Sequence, residues 1–149
     1  MVEVGATAYP ASGRGKEGAV GLTIDWLGFD CEDAPSLAQF WAEALDFKLL
    51  EEDDPEEIIV VPRSGGGPRL IFLQVPERKT VKNRLHLDLR PDDQDAEVER
   101  LLGLGARKVD IGQGDVTWVV MADPEGNEFC ILRALNDEDR AEREALGIT

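Results

Sequence analysis

KTVKNRLHLDLRPDDQDAEVERLLGLGARKVDIGQGDVTWVVMADPEGNEFCIL, residues Lys79–Leu132, decides how the rest of the chain is read. Alternation near its start puts Leu85, Leu87 and Leu89 on one side of a strand and Arg84, His86, Asp88 and Arg90 on the other, because strand side chains point to alternate faces. One face requires a core, and the other a polar cavity or water. Asp92 or Asp93 then caps a helix whose apolar stripe is Val98, Leu101 and Leu102 and which Gly105 ends. Two further strands, VTWVVMA and EFCILRA, are joined by the turn DPEGN.

The same plan occurs upstream. VGLTIDWLGFDC (Val20–Cys31) reads as a strand with Leu22, Ile24, Trp26, Gly28 and Asp30 on one face and Leu27, Phe29 and Cys31 on the other. Asp33 offers a helix N-cap, Pro35 suits the first turn, and Leu37, Phe40, Trp41, Ala44 and Leu45 recur at the spacing of a helix packed on a sheet. After an acidic loop come the strands Ile58–Pro62 and Arg69–Glu77. Their SGGGP connection joins two strands rather than a strand and a helix, so it reads as a hairpin turn and not a phosphate cradle. Asp33 and Asp93 lie 60 residues apart, as do Trp26 and His86, which marks an internal repeat.

A chain of 149 residues suits one domain, here two modules of about 19–78 and 79–135. Residues 1–18, with Gly5, Pro10, Gly13, Gly15 and Gly18, read as a flexible arm. Residues 136–149 read as a short exposed helical tail behind an Asn cap. With 31 acidic against 16 basic residues, the formal charge of -15 repels phosphate backbones and anionic membranes, so neither nucleic acid nor membrane is expected as a partner. Cys31 and Cys130 show no CxxC spacing and suggest neither a disulfide framework nor a zinc ribbon. No apolar run reaches the length of a membrane span and the N-terminus lacks a secretory stretch, so a cytoplasmic protein is expected.

DPEGNEFCIL, preceded by an acid-capped helix ending in Gly-Ala and a strand with a central His, resembles the C-terminal module of the vicinal oxygen chelate superfamily. The glyoxalase-like and bleomycin-resistance-like members are the most similar, and the match covers about residues 20–135. The resemblance implies an α+β fold: two tandem βαβββ modules forming a curled mixed sheet around a concave cavity, with the helices outside. It also implies a homodimer and, in many members, a divalent metal held by the first and last strands of each module. Those positions here are Trp26, Gln74, His86 and Cys130, the last standing where the DPxGN pattern carries a Glu. An indole cannot ligate and a Gln is a weak neutral ligand, so two good donors remain, too few unless Asp30, Asp88 or Glu128 joins them. No metal and no other cofactor is therefore expected. Glyoxalase-type isomerisation and extradiol-type oxygen chemistry lack their usual ligand set.

A curled sheet of this kind would carry Trp26, Asp30, Phe72, Gln74, His86, Asp88 and Cys130 on its inner face, with Trp118 as a further wall. Aromatic walls with a few convergent polar groups describe a small-molecule site. His86 is either a structural imidazole bonded to Asp30 or Asp88, or a ligand-contacting residue and candidate catalytic base. Trp118 is core or wall. Cys130 is inert packing or a nucleophile activated by His86, and Cys31 belongs to the core. The expected function is reversible binding of a small aromatic or amphipathic organic molecule. The alternatives are a metal-dependent lyase, isomerase or dioxygenase, and a regulatory or structural module.

Overall fold

Asp33 and Asp93 perform the same task in the two halves of the chain, each accepting from the backbone N–H three residues on: Ser36 N at 3.0 Å and Ala96 N at 3.0 Å. The computed structural model describes residues 22, 24–50 and 54–148. The expected N-terminal arm, 1–18, lies outside them. The elements in order are β1 (Trp26–Cys31), α1 (Ala34–Leu45), β2 (Phe47–Leu49), β3 (Glu57–Pro62), β4 (Arg69–Gln74), β5 (Asp88–Leu89), α2 (Gln94–Leu104), β6 (Arg107–Lys108), β7 (Val119–Ala122), β8 (Glu128–Ile131) and α3 (Asp137–Ala145).

The strands form two curled, open, four-stranded mixed sheets of identical plan, ordered β1-β4-β3-β2 and β5-β8-β7-β6. In each, the first strand runs parallel to the last and the remaining pairs are antiparallel. β3 and β4 meet through the expected hairpin, whose Gly65 and Gly67 take positive φ of 67° and 88°. α2 ends on Gly105 at φ 109°, again a left-handed C-cap. α3 begins with a capping box between Asn136 and Asp139, and none of its residues is buried.

One core joins both halves. Leu37, Phe40 and Trp41 from α1 and Val98 and Leu101 from α2 pack with Leu70, Phe72, Phe129 and Ile131 from the sheets. Trp41 is its centre, with ring centroids 5.7 Å from Phe29 and 5.1 Å from Phe129. Burying an aromatic ring this completely contributes about 3–5 kcal/mol relative to a truncated side chain. The opposite faces of the sheets carry Trp26, Gly28 and Asp30 from β1, paired with Arg69, Ile71 and Leu73 of β4, and Asp88 paired with Cys130.

Three expectations need correction. The strand expected over 84–90 shrinks to Asp88–Leu89, and Leu85 is 74% exposed instead of core. Upstream of Leu87, whose C=O accepts from Cys130 N at 2.8 Å, β8 offers no backbone ladder. Phe72 is not on the inner face: it is 0% exposed in the core and stacks on Phe29 at 5.0 Å. Gln74 shares Phe72's parity, and its Oε1 faces the Ala34 N–H at 3.4 Å, at the start of α1. In a run of large apolar residues such as Leu70–Leu73, both faces look alike in sequence. The pairing with β1 decides which one meets the helix.

Candidate functional site

The edge strand β1 and the segment 83–87 wall a cleft of about 410 Å³. That lies toward the small end of the ~300–1,000 Å³ usual for ligand pockets. Trp26, Gly28 and Asp30 project from β1, Asn83, Arg84 and His86 from the facing segment, and Asn127 comes from the β7–β8 turn. Gly28 leaves the wall low between the indole and the carboxylate. A guanidinium covers one side of the indole, with Arg69 Cζ 4.1 Å from the Trp26 ring centroid, and Arg69 is in turn paired with Asp25.

Beside the cleft a short polar chain runs from β5 to β8. His86 Nδ1 lies 3.0 Å from Asp88 Oδ1, and Asp88 accepts from the Cys130 thiol. Burial, and then the hydrogen bond and negative charge of Asp88, push the Cys130 thiol up to about 11, so at neutral pH it is protonated and a poor nucleophile. Cys31 is pushed further, to about 12, by burial and by surrounding carboxylates led by Glu125, and it packs in the core as expected. Both thiols are free.

The DPEGN turn holds the cleft's end in place. Asp123, 1% exposed, accepts from Trp41 Nε1 at 3.0 Å, from Asn127 Nδ2 at 2.8 Å, and from the backbone N–H of Glu125 and Asn127 at 3.0 and 2.9 Å. Burial still raises its pKa, against the pull of these donors. Glu125 reaches across to the first half, accepting from Glu32 N at 2.8 Å and Asp33 N at 2.7 Å. On the facing wall Glu128 accepts from Asn83 N at 2.9 Å and binds Lys79 Nζ at 3.0 Å. Burial opposes its charge, but these two donors outweigh that and hold its pKa below the ordinary carboxylate value.

Of the residues expected at the site, Trp26, Asp30 and His86 line the cleft, and Asp88 and Cys130 adjoin it through His86. Trp118 lies just ahead of β7, 39% exposed, and does not line it. Phe72 and Gln74 point away, as described above. Arg84, Asn83 and Asn127 were missed. Arg84 stands on His86's face of the expected strand, but 83–87 is not a strand, so its place in the wall, like that of Asn127, depends on how the chain folds back.

Strand register also revises the candidate metal positions. Cys130 pairs with Asp88 as Ile71 pairs with Gly28, so the equivalent of Cys130 in the first half is Ile71 and not Gln74. The four positions are Trp26, Ile71, His86 and Cys130, and half of them offer no lone pair to a cation. They do not fit the family's usual four-ligand metal site. Among the described residues one other grouping of donors occurs: ligand atoms of His86, Asp88 and Cys130 lie within 4.8 Å of one another, all in the second half.

Two open mixed sheets of the same βαβββ plan, with a cleft between their first strands, define a paired-module fold of the vicinal oxygen chelate superfamily. The glyoxalase-like domain family model matches residues 26–132, and the chain belongs to that family. Among solved structures it is similar to a glyoxalase/bleomycin resistance protein/dioxygenase family enzyme from Burkholderia phytofirmans PsJN, with 17% identity, TM-score 0.61, and coverage of 76% of this chain and 100% of that one. It is also similar to TnmS3, an antibiotic binding protein from Streptomyces sp. CB03234, with 21% identity, TM-score 0.56, and 78% and 100% coverage. A third is the fosfomycin resistance protein FosX from Mesorhizobium loti, with 17% identity, TM-score 0.56, and 83% and 98% coverage. Identities this low establish the shared fold. Among curated proteins none matches the sequence. No helix among the described residues is long and apolar enough to cross a membrane.

Proposed function

We infer that the cleft reversibly binds a small organic molecule, aromatic or amphipathic, without a metal ion in the family's usual position. The observation that carries this reading is the Trp26 indole, part of the wall of a 410 Å³ cleft that mixes apolar residues with polar ones, Asp30, Asn83, Arg84, His86 and Asn127. An aromatic face supplies apolar area at little conformational cost, and the surrounding amides and charges orient a ligand. The antibiotic-binding neighbour, TnmS3, uses the same fold, which supports the reading by analogy. A thermal-shift screen of small aromatic compounds tests it. A ligand at a hundred times its Kd adds about 2.7 kcal/mol, a rise of roughly 5–10 °C in Tm for a chain of this size. That rise should disappear in Trp26→Ala. A screen without stabilisers, together with turnover in an isomerase or dioxygenase assay, sinks the reading.

One observation favours a second reading, a metal-dependent lyase, isomerase or dioxygenase. His86, Asp88 and Cys130 form a three-donor set of a kind that suits zinc better than a hard divalent ion. Elemental analysis separates the two: near-stoichiometric metal that is lost in His86→Ala supports the enzyme. A homodimer is part of the proposal as well, supported by the exposure of Ile24 (80%) and Leu85 (74%), and light scattering tests it.

A further inference from the structure

Two charged groups on the cleft walls lack partners among the described residues. Asp30 stands on β1 and Arg84 on the facing segment; both line the cleft and both are exposed. No hydrogen bond or ion pair from a described residue engages either of them, and they do not pair with each other. By contrast Arg69 pairs with Asp25, Lys79 with Glu128 and His86 with Asp88. The cleft thus holds one unsatisfied charge of each sign, with Trp26 and Leu85 among its other lining residues.

We propose that the cleft selects an organic zwitterion, its ammonium taken by Asp30, its carboxylate by Arg84, and its apolar body laid against Trp26. This rests on the reading that the cleft takes a small organic molecule and names the class. A neutral ligand covering the walls would strip water from both charges and return nothing. A singly charged ligand satisfies one and strands the other. The guanidinium fork suits a carboxylate because it can donate two parallel N–H bonds. The formal charge of -15 does not reverse this choice. At physiological salt, charges beyond about 8 Å are largely screened, so the two groups in the cleft dominate.

Four indole compounds with short side chains of different charge test the proposal on the full chain: tryptophan, tryptamine, indole-3-propionate and indole-3-ethanol. His86 is the only histidine, so its ring resonances report occupancy of the cleft without ambiguity. Tryptophan should bind roughly tenfold tighter than the neutral alcohol, with the cation and the anion between the two. Asp30→Asn and Arg84→Gln should each remove most of that advantage, because each takes away one charged partner of tryptophan and one charge that the alcohol must dehydrate. An alcohol that binds as tightly as tryptophan, or an advantage that survives both substitutions, overturns the zwitterion and leaves the small-molecule reading standing. If none of the four shifts the His86 resonances up to its solubility limit, both fall.

Discussion

Trp41 donates its indole N–H to the carboxylate of Asp123 at 3.0 Å, a buried bond between residues 82 apart in sequence that ties the first helix to the DPEGN turn. Because Asp123 is one of the few polar side chains in the interior, the bond has a consequence for pH. Burial raises the Asp123 pKa, so its ionised form is disfavoured in the folded state; its contribution to stability is complete below the ordinary value of 3.8 and is lost as pH rises through the raised one. Trp41→Phe removes a donor that the ionised carboxylate needs more than the neutral acid does. Urea unfolding should find the variant less stable by about 1–3 kcal/mol at pH 7, beyond any constant packing loss, with the deficit shrinking toward pH 4. A deficit that does not vary with pH rules out this role.

Glu128 has the opposite sign. Its pKa is lowered from 4.5, so the stability it contributes is present above that value and is lost as pH falls through its folded pKa. Glu128→Gln should flatten the acid limb of the stability profile. It should also speed amide exchange at Asn83, whose N–H the carboxylate holds. Unchanged exchange there would mean that the wall segment is positioned by something else.

Glu125 acts on exposed groups, so its effect should be smaller. Glu125→Ala leaves Glu32 N and Asp33 N to water, costing about 1 kcal/mol and raising amide exchange at both positions. If the two halves were held by the Phe40, Trp41 and Phe129 contacts alone, exchange at the first helix start would not respond.

The thiols offer a chemical test. With Cys31 pushed up to about 12 and Cys130 up to about 11, neither should react appreciably with an alkylating reagent at pH 8 while the chain is folded, though both should react rapidly in denaturant. Asp88→Asn removes the negative charge that acts on Cys130 and weakens the hydrogen bond the thiol donates, and should speed modification of that thiol alone. Rapid native-state labelling of Cys130 would restore it as a candidate nucleophile.

The helices and their caps were legible in the residues: Asp33 and Asp93 at equal intervals, the Leu37, Phe40 and Trp41 stripe, and Gly105 closing the second helix. So was the face of β1 that carries Trp26, Gly28 and Asp30, because there polar and apolar side chains alternate. The short strands β2 and β6 were not, since three-residue and two-residue pairings leave too little pattern to read.

What the sequence by itself determined was the repeated module, the family, and the meeting of Trp26 with His86 at equivalent points of the repeat. All of these depend on local periodicity and on fixed intervals along the chain. Only the tertiary structure decided that Phe72 and Gln74 face the helix, that Ile71 takes the place expected of Gln74, that Asp88 and not Asp30 holds His86, and that Arg84 completes the wall. Strand parity within an apolar run, and the partner of an exposed charge, are set by which backbones pair across the sheet. That pairing is a property of the folded chain and has no counterpart in the order of its residues.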